Sequence, residues 1–534
     1  MTLEQKVGQV MVIGFDGSAY DPGVRAMIEK NQVGGVIFFA RNVESPAQVA
    51  RLTNEMQASA RAGGGIGLFV AVDQEGGRVA RLTTSKGFTE FPGAMAIGAS
   101  ARDVSGAAAN GRRVAAAMAA EMRAIGINTD FAPDLDVNNN PANPVIGVRS
   151  FSSDPSRVAA LGVAFAEGLQ ATGVLAFGKH FPGHGDTGTD SHLNLPVVGH
   201  ARPRLDAVEF VPFKAAIAAN VAGIMSAHVS FPTIEPAGLP STLSTKVLTG
   251  LLRNELHFDG LVVTDSLEMG ALAQSGHPVP PAAAEALKAG ADLLLFNRDH
   301  RIHQAAFDRI LADVRAGVIS LTRLDEAVRR SLRAKERFHL LHPAPVDPAV
   351  AGTVCGSSAH QAVAAEIAAG SVTLLRDEAG LLPLRADQKP LVIAVPSAAG
   401  LASALQGVEV RVSEAAPAAE VSAAVKAIQA HPGATVVLTL AGAVTNRNQT
   451  ALAKAVIGTG APVIVVALHE PYDLLGLATG AGGPALLATY GVNAPTLQAL
   501  AAVLRGTRKP AGHLPVDLPG LLPLGAGLEN FTRK

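Results

Sequence analysis

A chain of 534 residues exceeds one ordinary domain, and its 48% hydrophobic and 17% charged content describes a folded protein with large cores rather than a disordered one. A formal net charge of −1 and the lack of any long Lys/Arg run argue against nucleic acid or an anionic membrane surface as a partner. The single cysteine, Cys355, excludes an intramolecular disulfide.

The amino terminus, MTLEQKVGQVMVIGF, reads as a charged turn running into a strand. It lacks the basic, apolar and small-residue regions of a signal peptide, so the default expectation is a cytoplasmic protein, although removal of an export signal would leave the same sequence. Apolar stretches such as Gly433–Val444 stop short of a membrane span. Short apolar or β-branched runs follow at Val10–Phe15, Gly35–Phe39, Leu68–Asp73, Ile127–Ala132, Val174–Gly178, Gly223–His228, Leu261–Asp265 and Ala291–Phe296. Helical patterns lie between most of them: Pro46–Arg61, Val104–Ile125, Ser156–Thr172, Leu205–Ala219 and Lys246–His257. Ser45 and Pro46 supply an N-cap and a first helical residue. This alternation predicts a (β/α)8 barrel over residues 1–340, with a doubly wound sheet as the rival.

Pro343, Pro345 and Pro348 preclude a continuous helix after Leu341, and residues 341–358 read as a linker. The alternation restarts in 359–534, at Ser371–Leu375, Leu391–Val395, Val408–Val412, Thr435–Leu440, Val463–Leu468 and Ala485–Tyr490, with helical patterns such as Ala418–Gln429 between. An open, mostly parallel αβα sandwich is expected there.

The segment KHFPGHGDTGTDSHLNLP, residues 179–196, packs three His, two Asp and a Lys among Gly183, Gly185, Gly188 and Pro182. Gly and Pro break regular periods, so this is a loop dense in titratable groups. It leaves the carboxyl end of the fifth strand, where barrels place their chemistry. Other strand ends are polar too: VDQEGGRVAR after the third, DLDVNNNPANPVIGVRSF after the fourth, MSAH in the sixth and VVTDSLEM in the seventh. Asp265 is placed at the rim as a candidate nucleophile. Asp190 and His192 stand two apart, which in an extended segment turns both side chains to one face and lets the carboxylate orient the imidazole. A metal-dependent barrel hydrolase using His180, His184 and Asp186 is a competing class, but Pro182 and Gly183 forbid the helix that would make His-x3-His a good chelate. A non-catalytic sugar-binding protein is another, disfavoured because no candidate catalytic position is missing.

KHFPGHGDTGTDSH, VDQEGGRVAR, NPANPVIGVRSF and VVTDSLEMGA together resemble family 3 glycoside hydrolases, in particular the β-N-acetylglucosaminidases that use an Asp–His dyad. The resemblance runs from QKVGQVMVIGF to about residue 340, with a looser echo in SVTLLRDEAGLLPL, LATYG and AGHLPVDL. It implies Asp265 as nucleophile of a covalent, retaining mechanism, His192 as general acid/base and Asp190 as its dyad partner. It implies that Asp73, Arg81, Arg149, Lys179 and His180 hold the sugar hydroxyls. Neither cofactor nor metal is implied, and His184 and Asp186 are expected to brace the loop. Asp134 and Asp136 are the nearest alternative carboxylates, read as barrel-rim structure. The substrate implied is a small glycan with a terminal N-acetylglucosamine, such as a peptidoglycan fragment. The absence of Trp argues against a polysaccharide platform, and Ser266 after Asp265 argues against a β-glucosidase. Phosphorolysis of the same linkage stays open, because a neutral imidazole repels incoming phosphate less than a second carboxylate, a difference of about 4 kcal/mol at about 4 Å. The oligomeric state is not legible.

Overall fold

A computed structural model describes residues 1–477 and 482–532. Eight parallel strands form the first sheet: β1 Met11–Ile13, β2 Gly35–Phe38, β3 Phe69–Val72, β4 Thr129–Asp130, β5 Leu175–Phe181, β6 Gly223–Ser226, β7 Leu261–Thr264 and β8 Leu294–Leu295. They run in sequence order from β1 to β7, with β8 beside β1. A Val263–Leu293 bridge joins β7 to the start of β8, closing the barrel. Seven fall within the expected runs, and β5 starts in its run but continues through Lys179–Phe181, residues expected in the loop; with the sheet closed, the doubly wound alternative is set aside.

Period-two alternation orients each strand. Phe69 and Ala71, Leu175 and Phe177, and Leu261 and Val263 pack together inside the barrel, while Val70, Val72, Ala176 and Val262 join the core under the helices. Phe131 meets Phe177 edge-to-face at 5.3 Å inside. Continuing the alternation past the last interior residue places Asp73, Lys179 and Asp265 at the barrel mouth. Phe338 and Leu340, which follow the last helix of the barrel (Leu321–Arg337), close its floor.

Several local expectations change. The amino terminus is a helix, Leu3–Gln9, rather than a charged turn, because Thr2 and Gln5 form a reciprocal capping box. Ser45 caps Pro46–Gly63 as expected, accepting from Gln48 N at 3.3 Å. The single helix expected over Leu205–Ala219 is two, Arg202–Ala207 and Phe210–Ala218. Pro212 has no N–H to offer the carbonyl of Val208 and crowds it, so the helix restarts. Within the linker, Asp347 caps a short helix at Pro348–Val354 whose Ala351 is buried in the core of the barrel's outer layer.

The second sheet has the order β11–β10–β12–β13–β14–β9, comprising β9 Thr373–Arg376, β10 Leu391–Ala394, β11 Val408–Arg411, β12 Val436–Leu440, β13 Val463–Ala467 and β14 Ala485–Ala488. All neighbours are parallel except β9, which runs antiparallel to β14 at the edge. The near-continuous apolar runs of β10, β12, β13 and β14 are wholly buried, as parallel strands covered on both faces require.

Candidate active site

The mouth of the barrel holds one connected set of charges. Lys179, at the end of β5, reaches Asp73 Oδ1 (3.0 Å) and Glu75 Oε1 (2.6 Å). Arg149 grips the same Glu75 with a two-pronged bond, Nη2 to Oε1 at 2.7 Å and Nε to Oε2 at 2.9 Å. Burial alone would raise the Glu75 carboxyl, but Arg149 and Lys179 hold it well below the usual carboxylate range. Arg81 stands with Nη2 3.6 Å from Asp73 Oδ2, and its buried Nε has no partner among the described residues.

The network continues through His180. Its Nδ1 donates to Asp136 Oδ2 (2.7 Å), and its Nε2 lies 3.3 Å from Arg149 Nη2. Asp136 also accepts the backbone N–H of His184 at 2.6 Å. Burial works against ionisation of Asp136, yet the two imidazoles and this N–H keep it below the ordinary range. Neighbouring Asp134 is pushed well above the ordinary carboxylate range by burial and by Asp136, with Arg149 Nη2 at 3.7 Å opposing the shift.

His184 ties this network to the dyad loop. Its Nδ1 bonds Thr187 Oγ1 (2.8 Å) and its Nε2 bonds Ser191 Oγ (2.9 Å). Burial lowers its imidazole to about 4, so it serves as a neutral brace. Gly185 is required here, since a Cβ would sit 1.9 Å from the Val137 carbonyl oxygen. Asp186 turns away to His200 Nε2 at 2.7 Å. The metal set His180, His184 and Asp186 therefore does not assemble. The group that converges instead is Asp134, Asp136 and His180, with ligand atoms within 4.8 Å of one another, and Asp136 and His180 are already hydrogen bonded.

Asp190 and His192 do meet, by a different geometry from the expected one. The segment is a turn rather than an extended strand: Leu193 N and Asn194 N both bond the Asp190 carbonyl at 3.0 Å. Within it Asp190 Oδ1 accepts both His192 N (2.8 Å) and His192 Nδ1 (2.8 Å). An aspartate readily bonds the backbone two residues on, and this local option wins over extension. The carboxyl is partly buried, but the His192 bonds keep it below the ordinary range. The imidazole itself is 62% exposed and directs Nε2 away from its partner.

Asp265 follows β7. Its Oδ1 accepts Ser266 N at 2.7 Å, and its own N–H bonds the Ser226 carbonyl of β6 (3.2 Å). Burial opposes its ionisation, but His180, His228, the Ser266 N–H and Lys179 overcome this and keep the carboxyl below the usual range. His228 Nε2 donates to the Ser266 carbonyl at 2.9 Å, which fixes the backbone beside Asp265. The next turn is stitched to the dyad loop through its backbone, Gly270 N to His192 O at 3.2 Å and Ala271 N to Ser191 O at 3.1 Å.

All eight residues named from the sequence thus lie at the mouth or on the loop tied to it. Glu75 and His228 were not assigned a part, and Asp136 was read only as barrel-rim structure. Glu75 had a readable signal, an acid two residues beyond Asp73 in a Gly-rich turn; the partners of Asp136 and His228 lie far away in sequence.

Comparison with known proteins agrees with this architecture. Residues 2–334 match the glycosyl hydrolase family 3 N-terminal domain. The chain is similar to β-hexosaminidase A of Pseudoalteromonas piscicida, 36% identical over 393 residues, which cover 70% of this chain and only 64% of that relative. It is similar along nearly its whole length to a β-N-acetylglucosaminidase/β-glucosidase of Cellulomonas fimi, 31% identical over 96% of this chain and 93% of the relative. The solved structure of a family 3 β-N-acetylglucosaminidase from Paenibacillus sp. str. FPU-7 superposes with a TM-score of 0.89 at 39% identity, covering 97% of this chain and 99% of that one. With that family's domain matched across the barrel and its acidic mouth, this chain belongs to glycosyl hydrolase family 3.

Proposed function

We propose that the protein is a retaining, exo-acting β-N-acetylglucosaminidase that releases terminal N-acetylglucosamine from small glycans, peptidoglycan fragments among them. The observation that carries this reading is the Asp190–His192 pair, hydrogen bonded at 2.8 Å on a loop that is bonded to the turn after Asp265. Asp265 is the nucleophile: its carboxylate attacks the anomeric carbon as the bond to the leaving oxygen breaks, and protonated His192 gives that oxygen its proton. Neutral His192 then takes a proton from water, which attacks the glycosyl-enzyme and frees the Asp265 carboxylate. Asp190 holds the imidazole with Nε2 as the proton-carrying atom.

Asp73, Arg81, Arg149, Lys179 and His180 bind the sugar. Arg81, whose Nε has no partner among the described residues, and Lys179, between two carboxylates, support this, as charge-assisted bonds fix vicinal hydroxyls well. Asp134 and Asp136 are poorer candidate nucleophiles, the first because burial disfavours its carboxylate form and the second because it is occupied by His180 and His184. Similarity to proteins named β-hexosaminidase and β-N-acetylglucosaminidase supports the same substrate. Among the described residues no helix is long and apolar enough to cross a membrane.

The test is hydrolysis of chromogenic β-N-acetylglucosaminide and β-glucoside side by side. Preference for the acetylated sugar is expected, and preference for the glucoside overturns the assignment. The same reaction in inorganic phosphate reads the acceptor, with sugar 1-phosphate as the product of phosphorolysis and free sugar as that of hydrolysis.

A further inference from the structure

Arg149 is delivered by a long loop after β4, and much of what holds that loop belongs to the other sheet. At the carboxyl end of β13 the sandwich carries the turn His469–Leu474. Glu470 Oε1 accepts the backbone N–H of Val148 at 3.2 Å. Gly147, one residue earlier, has φ +46°, and a Cβ there would lie 2.2 Å from Glu470 Oε1. The Glu470 carboxyl thus lies flat on the Gly147–Val148 backbone, immediately before Arg149. Tyr472, two residues on, donates its hydroxyl to the Asn138 carbonyl at 3.0 Å, and Asn138 Nδ2 bonds the Gly147 carbonyl at 3.1 Å. Ser153 N, beyond Arg149, bonds the Pro515 carbonyl at 3.3 Å. The sandwich therefore holds the loop on both sides of Arg149.

Glu470 is an expensive residue for mere packing. Its Oε2 is enclosed without a hydrogen-bond partner among the described residues, and leaving a carboxyl oxygen so costs free energy that an apolar side chain would not. Burial pushes the group up to about 7, so on the acid side of neutrality it is an uncharged acceptor for the Val148 N–H.

We propose that Glu470, assisted by Tyr472, is a positioning residue for the barrel's sugar pocket. It fixes the Gly147–Arg149 turn, and through the two-pronged Arg149–Glu75 bond it sets Lys179 and Asp73. The second sheet is then a working part of the site although it lends no group to the reaction. This rests on the reading of the barrel mouth as the sugar pocket.

The experiment is steady-state kinetics on the full chain with chromogenic β-N-acetylglucosaminide, below neutral pH, with thermal midpoints in parallel. Glu470→Ala should raise KM about tenfold with a smaller change in kcat, since sub-ångström to ångström displacement of binding groups has effects of that order or larger. Glu470→Gln keeps the acceptor and should retain the wild-type KM. Tyr472→Phe removes one hydrogen bond and should raise KM about threefold. Wild-type KM in Glu470→Ala, or a Gln variant as impaired as Ala, overturns the proposal. Should Glu470→Ala fail to fold, unchanged KM in a folded Tyr472→Phe overturns it equally. Arg149→Ala separates the two readings: if it leaves KM unchanged the sugar-pocket reading fails, whereas if it raises KM while the Glu470 and Tyr472 variants do not, only the positioning role fails.

Discussion

Two lysines lie buried in the same barrel, one at each end, and their surroundings are opposite. Lys179, 2% exposed at the mouth, sits between Asp73 and Glu75, and their attraction outweighs its burial and raises its ammonium above the ordinary range. Lys335, 0% exposed at the floor, has the Gln9 amide oxygen at 2.9 Å and the Phe69 ring at 4.8 Å, but no carboxylate among the described residues lies beside it. Burial lowers it to about 7. Burial disfavours both cations; only the mouth supplies the anions that reverse the outcome. A barrel concentrates charge at the carboxyl ends of its strands because a ligand must be gripped there, while the floor has only to be closed.

Asp265→Ala tests the mouth most severely. Loss of a nucleophile should lower kcat by about four orders of magnitude or more, and a fluorinated slow substrate should leave its adduct on Asp265 by mass. An adduct on Asp134 or Asp136 would reassign the site. Lys179→Met should come next, lowering kcat/KM by about a hundred- to a thousandfold. It should also destabilise the protein by about 3–5 kcal/mol, since Asp73 and Glu75 would lose their shared cation, and chemical denaturation reads that loss. A mild effect would mean that Arg81 and Arg149 suffice and the contrast with Lys335 is weaker than drawn. Asp190→Asn is expected to slow turnover about ten- to a hundredfold by freeing the His192 ring. Substrates with good leaving groups should suffer least in their first step, and equal losses on all substrates would break the dyad assignment.

The floor yields the smallest effect on catalysis and one of opposite sign on stability. Lys335→Met should leave kcat/KM unchanged and stabilise the fold by about 1–4 kcal/mol near neutral pH, because a buried, unneutralised amine gives way to an apolar chain of similar length. The folded-state value is about 7 against 10.5 for the free side chain. Between those values the unfolded chain binds the additional proton, so wild-type stability should rise with pH across this window and fall on acidification through it. Denaturation at several pH values should show that slope in the wild type and its loss in the variant. A Lys335→Met protein less stable at neutral pH would show that the Gln9 bond and the Phe69 face outweigh desolvation.

Much of this was readable from local pattern. The strand periods placed Asp73, Lys179 and Asp265 at the same end of the barrel, and Asp190-x-His192 is close enough in sequence for its bond to be expected whatever the backbone does. The extended geometry assumed for that pair was wrong because an Asx turn competes at the same residues. Lys335 lies on a helix rich in Arg (Leu321–Arg337), and nothing in the local sequence marks it as buried.

The sequence by itself determined which side chains share a face of a strand, where helices start and where glycine or proline must stand, because these depend on neighbours within a few residues. Tertiary structure alone decided the partners: Glu75 for Arg149, 74 residues apart, and Glu470 for Val148, 322 apart. Ionisation followed the same division. That Lys179 is pushed up by its carboxylates and Asp134 is pushed up by burial depends on charges and burial brought from distant strands, and neither exists until the barrel closes and the sandwich docks on it.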